Sequence, residues 1–156
     1  MKKNIALVLA LIMVLCVFAA CGKDSAADPG FDAVKSAVLA AVDSEGLQDI
    51  PAAYVENTMK LGSDAYSEAC LRISNTGTSI DEFGVFKTDD AEALKALLEA
   101  YLSYRNDIWM DEYLPEEFPK LENAKLWVVG DYVMYVILGS DATGSAETAF
   151  KGCFEG

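Results

Sequence analysis

Phe31, Val34, Val38 and Val42 recur three and four positions apart in an alanine-rich stretch, a spacing that lays one apolar stripe along a helix. Asp43-Ser44-Glu45-Gly46 closes that helix, with Gly46 as the residue able to turn the chain. Pro51, tolerated in a first helical turn, opens a short second helix that runs towards Lys60 and stops at Gly62. From Tyr66 the period drops to two. Ala69, Leu71 and Ile73 alternate with Glu68, Cys70 and Arg72, as on a half-buried strand. A turn-rich loop, Asn75 to Ser79, leads to a second strand from Glu82 to Lys87 with Phe83 and Val85 on one face.

Asp89 to Glu92 has the form of a capping box. Behind it Leu94, Leu97, Leu98, Tyr101, Arg105 and Ile108 trace one face of a long helix, which Pro115 and Pro119 prevent from continuing. Lys125 to Val129 and Tyr132 to Leu138 are two β-rich runs separated by Gly130-Asp131, which predicts a hairpin with a primed turn. The second run is apolar on both faces and is expected in the sheet centre. Ser140-Asp141 opens a last helix carrying Ala149, Phe150 and Phe154. The order α-α-β-β-α-β-β-α predicts an α+β fold, an antiparallel four-stranded sheet packed by helices, in one domain over residues 31–156.

The N-terminus has a different pattern. Lys2 and Lys3 precede fourteen uncharged residues, 5–18, and then Ala19-Ala20-Cys21-Gly22. That apolar run suits a secretory leader and is short for spanning a hydrocarbon core of about 30 Å. Small residues before a cysteine fit the lipoprotein box, in which the Cys21 thiol receives a diacylglyceryl group and becomes the new N-terminus; Phe18 stands where Leu is usual. Residues 1–20 are thus expected to be a lipoprotein signal peptide. Residues 21–30 are the lipidated cysteine and a polar tether broken by Pro29. The expected location is the extracytoplasmic face of the cell membrane, reached through two acyl chains such as palmitate.

Lys and Arg number 12 against 25 Asp and Glu, a net charge of −13, and losing Lys2 and Lys3 with the leader makes it −15. This balance argues against nucleic acid as a partner, since affinity for polyphosphate comes from clustered cations. It also opposes close approach to anionic headgroups. The chain has no histidine, and so lacks the commonest general base and the commonest zinc ligand.

Glu82-Phe-Gly-Val-Phe-Lys ahead of a long helix, Leu121-Glu122-Asn123-Ala124, Val129-Gly130-Asp131-Tyr132-Val133 and a terminal helix after Ser140-Asp141-Ala142 resemble the DUF4358 family. The resemblance runs from about Asp49 to Phe154, and its most specific part is Leu-Glu-Asn-Ala to Gly-Asp-Tyr-Val. The family's usual Tyr-Gly step stands here as Lys60-Leu61-Gly62. The resemblance implies a small lipoprotein of a clostridial, monoderm cell surface, with an α+β domain. It also implies a setting near membrane-bound O-acyltransferases of the envelope. It carries no catalytic residue across.

Candidate chemistry is sparse. Cys70 and Cys153 are an even pair in an exported chain, so a disulfide is one reading and two buried, unpaired thiols the favoured one. Asp111, Glu112, Glu116, Glu117 and Glu122 surround Trp109, Tyr113 and Phe118. They are candidates for a carboxylate pair or a Ca²⁺ site but lack calcium-loop spacing, and a solvated acidic loop with buried aromatics is favoured. Asp43, Glu45 and Asp49 are read the same way. Ser74, Thr76, Thr78 and Ser79 have no base to activate them, and Tyr101, Tyr104 and Trp109 are read as core before partner surface. No catalytic residue, metal or cofactor is expected. The leading expectation is a non-catalytic binding or accessory module acting on an envelope protein or glycan. The alternative is a carboxylate-dependent glycan hydrolase or an accessory to envelope O-acylation.

Overall fold

The computed structural model describes residues 28–109 and 113–155; Cys21 and the leader lie outside these residues, as do Asp111 and Glu112. The elements run α1 (Phe31–Ala41), β1 (Leu47–Asp49), α2 (Ala52–Asn57), β2 (Glu68–Ser74), β3 (Glu82–Lys87), α3 (Ala91–Asp107), α4 (Phe118–Glu122), β4 (Lys125–Val129), β5 (Tyr132–Ile137) and α5 (Ser140–Gly152). The class is α+β, as the periodicities imply.

The sheet has five strands rather than four, in the order β1-β2-β3-β5-β4, each pair antiparallel. The strand absent from the sequence reading is β1, which pairs Leu47 with Ser74 and Asp49 with Arg72 at the sheet edge. Three residues are too few to reveal a period of two. Gly46 is not a left-handed helix cap: α1 ends in extended backbone at Val42, and the Gly46 carbonyl accepts from the Asn75 amide at 2.9 Å.

Helices cover both faces. Phe31, Val34 and Val38 of α1 and Ala146 and Phe150 of α5 pack on Phe83, Val85, Met134 and Val136. On the other face Leu94, Leu98 and Tyr101 of α3, with Val55 and Met59 around α2, pack on Phe86, Val133 and Tyr135. Strand β5 is buried along its whole length, which places it centrally between β3 and β4. The β4–β5 turn has Gly130 at φ +56, the glycine-first arrangement of a primed turn that matches strand twist. The cap of α3 is Asp90 rather than Asp89, its carboxylate accepting from the Ala93 amide at 3.0 Å.

Candidate functional site

Alternation along β3 sends Phe83 and Val85 to the α1/α5 face, so Glu82, Gly84 and Phe86 face α3. Glu82 is therefore carried into the core and is 0% exposed. A buried carboxylate has to be compensated. Two elements, α3 and β5, supply its partners. Tyr101 of α3 and Tyr135 of β5 each donate a hydroxyl to Glu82 Oε1 at 2.6 Å. Arg105, one turn along α3 from Tyr101, forms an ion pair with Glu82 Oε2. The Arg105 guanidinium also donates to the Tyr101 oxygen at 2.8 Å and to the Tyr54 oxygen at 2.9 Å, and the Tyr54 and Tyr101 oxygens lie 3.0 Å apart. The cluster thus ties α2, β3, α3 and β5 together.

Gly84 makes this geometry possible. A Cβ there would stand 2.5 Å from Leu71 Cδ2 and 2.5 Å from Tyr135 Cε1, so the missing side chain is the space the Tyr135 ring occupies on its way to Glu82. The cluster holds its buried phenols and its guanidinium in their protonated forms. Burial, then the Glu82 charge, push the Tyr101 phenol far above its ordinary value of 10.0, and the same two causes act on Tyr135. Burial opposes the Arg105 charge, but the Glu82 carboxylate outweighs it and holds the guanidinium firmly protonated.

Tyr101 also lines a surface groove of about 320 Å³ between the turn after α2 and the exposed side of α3, together with Asn57, Met59, Leu97, Ala100 and Tyr104 among others. Lys60 and Leu97 line both this groove and a neighbouring concavity of about 530 Å³ that holds Asp64, Asp89 and Asp90. Lys60 sits at φ +59, and the turn is closed by the Leu61 amide on the Val55 carbonyl at 3.1 Å. Tyr104 is exposed, not core, whereas Tyr101 is buried and Trp109 half-buried.

The acidic segment near Trp109 is put to structural use. Glu117 accepts from the Ile80 amide at 2.9 Å, and Lys120 bridges Glu117 at 2.9 Å and Asp81 at 2.8 Å. Glu116 and Glu122 are exposed, Phe118 and Trp109 pack on Leu121 and Ile137, and Tyr113 is exposed with its hydroxyl on the Gly77 carbonyl. Asp43 accepts from the Glu45 amide and Asp49 pairs with Arg72 at 3.0 Å. Ser74, Thr76 and Thr78 bond to one another within their loop, and Ser79 accepts from the Asp81 amide. Among the described residues no group of three acidic or cysteine side chains converges as metal ligands. Cys70 and Cys153 are both free thiols, and burial pushes each up. Asp28, inside the segment read as tether, is held by the Tyr132 hydroxyl at 2.6 Å and Lys87 at 2.6 Å.

Fold and site together define a small three-layer α+β protein: a buried ion cluster lies behind one helix and a groove in front of it. Residues 40–138 match the family described as Domain of unknown function (DUF4358), and the chain belongs to that family. No curated protein matches it. No solved structure matches it either.

Proposed function

We propose that the protein is a lipid-anchored, non-catalytic binding or accessory module of the cell envelope, held outside the membrane through Cys21. One observation carries the binding part: three of the four exposed large apolar side chains of the described residues, Leu97, Tyr104 and Ile108, lie along α3 and its C-cap, on a helix that the Glu82 cluster ties to the sheet. Such side chains confined to one surface mark contact with a partner. Tyr101, which lines the groove, is kept protonated by burial and by Glu82. The anchoring part is supported by the charge, length and Ala-Ala-Cys-Gly pattern of residues 1–22. Two acyl chains give stable membrane attachment where one does not.

Affinity capture from detergent-solubilised envelope, with the full-length protein as bait, tests the reading. A specific protein or glycan should be enriched over an unrelated lipoprotein bait. Capture of background alone contradicts it, as does turnover of an envelope glycan by the purified protein.

A further inference from the structure

The large hydrophobic side chains left exposed among the described residues are Leu97 (38%), Tyr104 (47%), Ile108 (53%) and Tyr113 (52%). The first three recur along α3 at spacings of seven and four, and Tyr113 follows just beyond the helix end. Ala93 and Ala100, also exposed, extend the line on the same side of the helix. The result is an uncharged stripe between the buried face of α3 and a charged flank on which Lys95 reaches Glu92 and Glu99 at 4.0 and 3.9 Å. Small residues flanking Leu and Tyr allow another backbone to come close. From Asp90 to Ile108 the surface follows about 27 Å of helix axis, or about five turns at 1.5 Å per residue.

Carboxylates gather at its N-terminal end. Towards the start of α3 the groove opens into the concavity of Asp64, Asp89 and Asp90, with Lys60 as its one cation. Among the described residues no lysine or arginine forms an ion pair with these three carboxylates. Nor do they converge on a point where a metal ion would be held. The apolar stripe therefore adjoins an anionic concavity at the start of α3. A second copy of the chain would bring the same carboxylates and a net charge of −13 to this face, and like charges repel.

We infer that the α3 groove takes a cationic amphipathic helix of a partner protein. The partner's apolar face lies on Leu97, Tyr104 and Ile108, and its Lys/Arg-rich end meets Asp64, Asp89 and Asp90. This is the helix-in-groove mode of recognition, in which anchors at i, i+3/i+4 and i+7 supply affinity and the terminal charges set direction. The inference rests on the binding reading above and specifies the chemistry of the partner.

The test uses the full-length protein in phosphatidylcholine nanodiscs, with the signal from empty nanodiscs subtracted. Three fluorescent peptides about five turns long are titrated: Leu/Lys amphipathic, Ser/Lys with the same charge, and Leu/Glu with the same apolar face. The Leu/Lys peptide should bind one to one. Leu97→Glu and Tyr104→Glu, both at exposed positions, should each weaken it about tenfold or more. Asp64→Asn with Asp89→Asn should weaken it several-fold and flatten its salt dependence. The Ser/Lys peptide should bind weakly and ignore Leu97→Glu. Leu/Lys binding indifferent to both glutamate substitutions overturns the inference, as does equal binding of the Leu/Glu peptide. A dimer that Leu97→Glu dissociates overturns it too. An envelope partner still captured by the Leu97→Glu, Tyr104→Glu double variant overturns this inference while leaving the binding reading intact.

Discussion

Glu82 is the residue on which the α3 side of the molecule turns. Its carboxylate is wholly buried and satisfied by two phenols and a guanidinium from three other positions. Removing one partner of a buried ion pair strands the other, which costs about 3–5 kcal/mol. Glu82→Ala should lower the unfolding free energy by that amount, read as a lower urea midpoint with the denaturant slope unchanged if native and unfolded states stay comparably compact. Gly84 serves the same cluster through absence of bulk. With two side-chain atoms 2.5 Å from the added Cβ, Gly84→Ala should cost about 1–3 kcal/mol by overpacking, read in the same urea titration. The phenols add a pH dependence. Folding raises the values of Tyr101 and Tyr135 above the ordinary 10.0, so the folded state keeps protons that the unfolded state releases. Stability is then fully present below pH 10.0 and declines as pH rises beyond it. A 295 nm absorbance titration should show at least these two phenols ionising only with unfolding; ionisation of all seven tyrosines near pH 10.0 in the folded protein contradicts the cluster.

At the scale of elements, α3 has two roles on two faces. Leu94, Leu98, Tyr101 and Arg105 bind it to the sheet, while Leu97, Tyr104 and Ile108 face outward. Leu97→Glu should therefore leave thermal stability within about 0.5 kcal/mol of the parent, as surface substitutions do, while affecting partner binding. A loss of several kcal/mol would place Leu97 in the core instead. The long helix, the Gly130-Asp131 hairpin and the central position of β5 were all legible in the sequence, because each rests on a sustained period or a specific turn pair. Strand β1 was not, since its three residues take their conformation from pairing with β2 rather than from any local pattern. Glu82 was not either: at the head of an alternating strand a carboxylate reads as solvent-facing. One signal did point to it. Arg105 falls on the apolar face of α3, and a cation in that position requires a buried anion opposite. Tyr104 was read as core because helical spacing alone does not separate a buried stripe from an exposed one beside it.

At the scale of the whole molecule, two helical layers enclose a sheet whose N-terminal approach is fixed at Asp28. Hydrogen bonds from Lys87 and Tyr132 depress the Asp28 carboxyl, so this clasp is present at neutral pH and is lost as acid protonates the group. A lipid on Cys21, as proposed, would be separated from the clasped Asp28 by residues 22–27. The proposed location at the membrane rests on that attachment. The most direct measurement is intact-mass analysis of the protein recovered from fractionated cells. The expected species is a membrane-bound chain that begins at Cys21 and carries a diacylglyceryl group. A soluble chain that retains residues 1–20, with an unmodified Cys21 thiol, would contradict it.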